Sequence, residues 1–186
     1  MSLRDRQRAD TRQRIQRQAL RLFSDQGYDA TTVNEVADAA GVSAMTVYRN
    51  FPTKEDLVLY DDFDEQAAAS IAELPSTGSL TDRIGRAVLA TIERANTDVL
   101  LVRLRLMIST PALQARHLDS QFRLQEAFVQ AICADEPTLE YAARAAASAC
   151  LGITHTALLR WAADNGDADL PDLYREAFTA VFGHAP

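Results

Sequence analysis

Apolar residues recur at helical spacing along almost the whole chain. In the first segment Ile15, Ala19, Leu22 and Phe23 occupy positions i, i+4, i+7 and i+8, which lie on one face of a helix. Gly27 predicts the end of this helix, because glycine adopts the left-handed conformation without a Cβ penalty. No segment of appreciable length alternates apolar and polar residues as a β-strand does. The sequence therefore predicts an all-α protein.

Capping residues divide the next segment into short helices. Thr32 and Glu35 are placed as a capping box, in which the hydroxyl and the carboxylate bond backbone amides of the first turn. Gly41 predicts the end of this second helix, and Ser43 is placed as the N-cap of a third. Two short helices joined by residues 41–43 form a helix-turn-helix. In DNA-binding proteins the second helix of this motif lies in the major groove.

The third helix is predicted to have two different faces. Val47 and Phe51, four residues apart, are expected to face inward. Met45 and Tyr48 lie on the other side, where exposed apolar groups indicate a surface that a partner covers. The residues on this outer side or at its edge are Ala44, Met45, Thr46, Tyr48 and Arg49.

The remainder of the chain also has helical spacing. Residues 53–56 are predicted to cap a fourth helix that runs to about Glu73. After a loop at 75–79, further helices are predicted at 80–95, 98–109, 111–134, 138–165 and 171–183. The expected architecture is an N-terminal, three-helix helix-turn-helix domain at 1–53. A helical-bundle domain for ligand binding and dimerisation is expected at 54–186.

The charge of the chain is unevenly distributed. The formal net charge is −7. Residues 1–24 nevertheless contain seven arginines and two acidic residues, a local charge of +5. Residues 61–186 contain 10 basic and 18 acidic residues, a local charge of −8. This asymmetry is typical of a basic nucleic-acid-binding face on an acidic body, although a solvated basic helix would have the same composition.

Three segments together resemble a known DNA-binding domain. They are 31–37 (TTVNEVA), 40–43 (AGVS) and 46–57 (TVYRNFPTKEDL). Together with Gly27 and Tyr28 before them, they are similar to the DNA-binding domain of the TetR family of repressors. The resemblance runs from about Thr11 to Leu57, with the same order of elements and the same turn lengths. It implies a homodimeric repressor without catalytic residues, cofactor or metal, which binds palindromic double-stranded operator DNA.

The resemblance also implies roles for individual residues. Thr32, Tyr48 and Lys54 correspond to the family's phosphate-contacting positions. The residues at its base-reading positions are Ala44, Met45, Thr46 and Arg49. Many relatives have Gly, Lys or Arg where this chain has Ala44 and Met45, whose apolar groups could contact thymine methyls. With the capping residue Ser43, these are the predicted DNA-binding residues.

For the C-terminal half, the resemblance implies a ligand pocket and dimerisation through the last two helices. The predicted helix 138–165 is apolar on nearly all sides and rich in alanine, which suits a close helix–helix interface. The core of a monomer would have the same pattern. The residues expected at the dimer interface are Leu158, Trp161, Phe178 and Phe182.

The expected effector is a small apolar or amphipathic molecule. The candidate pocket residues are Arg103, Met107, Phe122, Phe128, Cys150, His155 and Trp161. Arg103 or Arg105 could contact an anionic group; they are two positions apart and face different sides of a helix, so at most one is expected to point inward. Aromatic residues and methionine at helical spacing also occur in ordinary cores.

Two alternative functions depend on other residues. An enzyme could use a metal bound by Asp61, Asp62, Asp64 and Glu65, although these residues are more typical of a solvated helix surface. The sequence contains no nucleophile elbow, glycine-rich phosphate loop or HExxH motif, which argues against an enzyme. A redox switch between Cys133 and Cys150 stays open, since their spacing neither supports nor excludes it.

The chain has no apolar run of the length that a membrane span requires. No apolar segment follows the arginines near its N-terminus, so no secretory signal is expected. Its two cysteines form neither a CxxC pair nor a disulfide framework. The sequence therefore predicts a cytoplasmic protein that does not contact membranes.

Overall fold

Helices account for the regular structure of this computed structural model, which describes residues 3–60, 67, 69–71, 78–134 and 136–186. The helices are α1 (Leu3–Gln26), α2 (Val33–Ala40), α3 (Ala44–Asn50), α4 (Asp56–Leu59), α5 (Leu80–Arg94), α6 (Thr97–Ser109), α7 (Pro111–Cys133), α8 (Glu140–Ala163) and α9 (Leu170–Phe182). A 3₁₀ turn, Pro137–Leu139, precedes α8, and residues 67 and 69–71 are also helical. These residues include no strand, and the predicted all-α fold is confirmed.

The chain divides into two compact units. The N-terminal unit comprises Met1–Tyr60 together with Arg105–His117, the segment that contains the junction of α6 and α7. The C-terminal unit comprises Asp61–Leu104 and Leu118–Pro186. The functional boundary expected between residues 53 and 54 stays a prediction.

The core of the N-terminal unit follows the predicted helix faces. Gly27 ends α1 with a φ of 93°, and its N–H donates to the carbonyl of Phe23 at 3.0 Å. The fully or almost fully buried side chains of this unit are Ile15, Ala19, Phe23, Val36, Val47, Phe51, Leu57, Val58 and Leu113. Burial of these apolar groups provides most of the stabilisation of the unit.

The fourth helix is shorter than predicted. Thr53 and Asp56 form the expected capping bonds, with the Thr53 N–H donating to Asp56 Oδ2 at 2.9 Å. The helix ends at Leu59, however, because Tyr60 is extended, with φ −70° and ψ 125°. Gln16 Nε2 donates to the Tyr60 carbonyl at 2.5 Å, and Arg12 donates to the Tyr60 hydroxyl. These bonds from α1 hold Tyr60 outside helical geometry, and the prediction of one continuous helix to residue 73 was wrong.

Helices α5, α8 and α9 pack together in the C-terminal unit. Phe178 of α9 is fully buried and approaches Gly85 of α5 so closely that a Cβ there would lie 2.5 Å from Phe178 Cε2. Trp161 of α8 is also buried, and its Nε1 donates to the Ala168 carbonyl at 2.9 Å. Trp161 and Phe178 therefore belong to the core of their own unit, and their predicted place at a dimer interface was wrong.

The outer face of α8 carries small residues. Its exposed small residues are Ala142, Ala145, Ser148, Ala149, Gly152, Thr156 and Ala163. A Cβ added at Gly152 would meet no atom within 4 Å, so this face is open along its middle. Leu158 and Phe182, the other residues predicted at the dimer interface, are partly exposed. Across the described parts of the chain, no helix has the length and apolarity needed to cross a membrane.

Candidate nucleic-acid interface

The capping box predicted at the start of α2 is present. The Thr32 backbone N–H and hydroxyl donate to Glu35 Oε2 at 2.7 and 2.8 Å, and the Glu35 N–H donates to Thr32 Oγ1 at 3.2 Å. The bonds from Thr32, with a smaller effect from the Lys54 charge, hold the pKa of Glu35 below its ordinary value. Thr32 is exposed, and the caps fix its position at the N-terminus of α2.

The turn between α2 and α3 is also fixed by local bonds. Gly41 has φ 63° and ψ 40°, and its N–H bonds the carbonyls of Ala37 and Asp38. A residue with a side chain is strained in this left-handed conformation, which explains the glycine. Ser43 Oγ accepts a bond from the Thr46 N–H at 3.2 Å and lies 2.9 Å from Thr46 Oγ1. These bonds set where α3 begins and which side of it faces solvent.

Helix α3 has the two predicted faces. Val47 is buried on the inner face, followed by Phe51 at the end of the helix. On the outer face Met45 is 68% exposed and Tyr48 is 49% exposed, and Arg49 is exposed beside them. The remaining predicted contacts, Ala44 and Thr46, are partly exposed. The outer face thus presents a thioether, a phenol and a guanidinium to solvent, and of these the guanidinium can donate two hydrogen bonds to a base edge.

Lys54 lies beside the loop that follows α1. Its Nζ donates to the Tyr28 carbonyl at 2.6 Å and lies 4.3 Å from the centre of the Tyr28 ring. The Tyr28 ring packs on Phe23, with their ring centres 5.0 Å apart. An ammonium group has three donors, so one bond to Tyr28 leaves donors for a phosphate. Since Lys54 also acts on the pKa of Glu35, it lies near the capping box that holds Thr32.

The seven predicted pocket residues are divided between the two units. Met107 is buried in the N-terminal unit, whereas the other six belong to the C-terminal unit. Phe122 is 66% exposed, and Arg103 is partly buried. Of the rest, Phe128 is fully buried, and Trp161 is buried and bonded to the chain that follows α8. Their roles in ligand binding stay predictions.

Cys150 and His155 lie on α8, and burial shifts the pKa of each side chain. Cys150 is fully buried, its Sγ donates to the Thr81 carbonyl at 3.6 Å, and burial raises the pKa of its thiol to about 12. His155 is partly buried, which lowers its pKa because burial disfavours the charged imidazolium. In both cases burial disfavours the charged form of the side chain.

Sequence reasoning missed a buried arginine in this unit. Arg83 lies on the inner side of α5, where its side chain is 8% exposed. A charged residue within the stripe formed by Ile84, Ala87 and Val88 was the available signal.

The acidic residues considered above as an alternative metal site lie outside the described residues. They are Asp61, Asp62, Asp64 and Glu65. Elsewhere, the described residues include no group of three or more metal-binding side chains.

Both parts of the chain match models of known families. The model of bacterial regulatory proteins of the tetR family matches residues 15–60. The model of the MftR C-terminal domain matches residues 79–186, more than half of the chain.

Two individual regulators are similar to this chain over much of its length. The regulator TcmR of Streptomyces glaucescens is 30% identical over 144 residues, which are 72% of this chain but 64% of TcmR, less than two thirds of it. The putative mycofactocin biosynthesis regulator MftR of Mycobacterium tuberculosis is 25% identical over 95% of this chain and 91% of its own.

A solved structure extends the likeness to the fold. The repressor FadR of Thermus thermophilus, in complex with lauroyl-CoA, has a TM-score of 0.54 and 23% identity, covering 91% of this chain and 92% of its own. The relatives matched by sequence are named as transcriptional regulators. This agrees with the prediction that the chain is a regulator and not an enzyme. The helix-turn-helix geometry and both family matches lead to one conclusion: this chain belongs to the TetR family of bacterial transcriptional regulators.

Proposed function

We propose that this protein is a ligand-responsive repressor that binds palindromic operator DNA in the cytoplasm as a homodimer. In this proposal residues 1–53 bind DNA, and residues 54–186 bind the effector and dimerise. The observation that carries the proposal is α3, where Met45, Tyr48 and Arg49 face solvent on a helix that Ser43 and Gly41 hold in place. Its inner face is buried, so its outer face is the part free to enter a major groove.

Contacts with DNA divide into two classes in this proposal. Thr32, Tyr48 and Lys54 contact phosphates and set the orientation of the domain, while carrying no sequence information. Arg49 donates two parallel hydrogen bonds to one guanine, the strongest base-specific contact available on α3. Ala44 and Met45 favour thymine methyls, and Thr46 lies at the edge of the same surface.

The dimer interface is proposed on the exposed faces of α8 and α9. One recognition helix reads only a few base pairs, so useful specificity requires two copies on an inverted repeat. The small residues on α8 would let a partner helix approach closely, as alanine and glycine do in tight helix pairs. On α9 an exposed or partly exposed stripe of Leu173, Ala177, Ala180 and Val181 continues this surface. These residues replace Trp161 and Phe178 of the sequence-based interface.

The proposed effector is apolar or amphipathic. Support comes from the apolar interior of the C-terminal unit, and from FadR, which was solved with lauroyl-CoA. Release requires that the effector bind the DNA-free conformation better than the DNA-bound one. By linkage, operator DNA must then weaken effector binding by the same factor.

Binding-site selection from random DNA with the full-length chain tests the proposal. We expect an inverted repeat with half-sites about one helical turn (~34 Å) or slightly more apart, bound by a dimer. Lauroyl-CoA is the first probe for release, with CoA alone as the control for its apolar chain. Recovery of a single half-site bound by a monomer would contradict the dimeric repressor.

A further inference from the structure

The guanidinium of Arg83 is buried on α5 with few partners. Its side chain is 8% exposed, and its Nε has no hydrogen-bond partner. Within the described residues its ion pair is with Glu136, whose Oε1 lies 3.7 Å from Nη1. Glu136 is 45% exposed and is therefore shared with water. This single long contact leaves the buried Nε–H of Arg83, one of its five guanidinium donors, without an acceptor.

A buried charge that lacks hydrogen-bond acceptors destabilises the ligand-free protein. Removal of a guanidinium from water requires close, well-aligned acceptors to offset the loss of hydration. Native structures rarely bury a charged group without them, so an arginine of this kind calls for an explanation. A ligand that supplies the missing acceptor would reduce the penalty, and its binding would be favoured by that amount.

The neighbourhood of Arg83 on α5 indicates what else the ligand must have. The other buried residues of this helix are Ile84, Gly85, Ala87, Val88, Thr91 and Ile92. The hydroxyl of Thr91 already donates to the Ala87 carbonyl at 2.8 Å. Arg83 is therefore the one charged residue among the buried residues of α5. The neighbouring Asp82 is partly buried, and its Oδ1, which has no hydrogen-bond partner, lies 3.6 Å from His184 Nδ1. A ligand that contacts Arg83 on this side therefore meets one buried cation and, apart from the Asp82 carboxylate, an apolar wall.

We infer that Arg83 binds the anionic head of the effector, a carboxylate or a phosphate monoester, whose apolar body lies along α5. A carboxylate can accept two parallel bonds from the guanidinium fork, and a phosphate can accept at least as many. This inference rests on the proposed function, and it gives Arg83 the role that the sequence indicated for Arg103 or Arg105. Glu136 competes with the head group for the same guanidinium.

Calorimetric titration of the full-length protein with three twelve-carbon amphiphiles tests the inference, each below its micelle-forming concentration. The anionic probes are dodecanoate and dodecyl phosphate, and the neutral control is dodecan-1-ol. We expect at least one anion to bind about 10- to 100-fold more tightly than the alcohol, in the range of a charge-assisted pair. The two anions then distinguish a carboxylate site from a phosphate site.

Variants separate a ligand contact from a structural role. Arg83→Met should remove the preference for the anion and leave alcohol binding unchanged, while Arg94→Met, at an exposed position of α5, should change neither. Glu136→Gln should strengthen anion binding several-fold, because the competing carboxylate is gone. The midpoint temperature of ligand-free Arg83→Met should equal or exceed that of the wild type. A lower midpoint with unchanged anion preference would assign Arg83 to the fold and overturn the inference.

Parallel operator-release assays keep the inference separate from the proposed function. If the alcohol binds and releases operator as well as both anions do, the repressor function stands and the role of Arg83 is refuted. If anions bind through Arg83 without releasing operator, Arg83 is an anion site and the effector-responsive function is wrong. If neither anion binds the wild-type protein, the inference is refuted.

Discussion

Replacement of Gly152 by alanine tests the dimer interface with a single methyl group. Gly152 lies in the middle of α8 on its exposed face, and a Cβ there would meet no atom of its own protomer within 4 Å. Alanine favours a helix interior over glycine by about 1 kcal/mol. In an isolated protomer the substitution should therefore raise the free energy of unfolding by ~1 kcal/mol, or the midpoint temperature by about 2–4 °C.

The same methyl group should weaken the proposed dimer. If the small-residue face of α8 packs against its partner, two-fold symmetry places two added methyl groups in a close-packed interface. Overpacking of this kind costs about 1–3 kcal/mol, which corresponds to a roughly 5- to 150-fold higher dissociation constant. Sedimentation velocity over a concentration series measures that constant, and urea unfolding at low protein concentration measures the stability of the protomer.

Gly85→Ala is the matched control, because it adds the same methyl group at a position where neighbouring side chains already fill the space. Its Cβ would lie 2.5 Å from Phe178 Cε2 and 2.8 Å from Pro186 Cβ, inside the C-terminal unit. Phe178 is fully buried and cannot move aside freely, so a net destabilisation of ~1–2 kcal/mol is expected. A Gly152→Ala protein that is more stable and dimerises as tightly as the wild type would remove this face of α8 from the interface.

Three further predictions concern single side chains. Arg49→Ala should relax base preference at one position of each half-site, with a loss of ~1–3 kcal/mol of discrimination that binding-site selection would detect. Lys54→Ala should weaken binding to all sequences alike and make the salt slope shallower by roughly one unit, and an altered preferred sequence would contradict its phosphate role. Because burial raises the pKa of the Cys150 thiol to about 12, it stays protonated and should resist iodoacetamide at pH 8 until the protein unfolds. Rapid native-state alkylation at Cys150 would restore the redox-switch alternative.

The features that the sequence predicted well depend on short-range interactions. The capping box of Thr32 and Glu35 and the left-handed Gly41 each involve residues within four positions of one another. The inner face of α3 follows in the same way from helical spacing, because Val47 and Phe51 are four residues apart. Such signals are complete in a single segment, so they do not require knowledge of the tertiary structure.

The errors arose where distant residues decide the outcome. The break after α4 depends on bonds to Tyr60 from Arg12 and Gln16, which lie more than forty positions earlier. In the same way, α8 is apolar on most sides, so its pattern could not tell a core residue such as Trp161 from an interface residue. Arg83 was missed because a single charged residue in an apolar stripe does not reveal whether it is exposed.

The N-terminal unit consists of two segments that are distant in the sequence, and this affects how it folds during synthesis. Its segment Arg105–His117 supplies the fully buried Leu113 and the guanidinium of Arg116, which lies 3.8 Å from Asp56. A ribosome completes residues 1–60 well before it reaches this segment. The helix-turn-helix of a nascent chain therefore lacks part of its core until residues 105–117 have been synthesised. A chimera that receives residues 1–60 alone would lack the same core residues. A chimera that also receives residues 105–117 would contain the complete N-terminal unit.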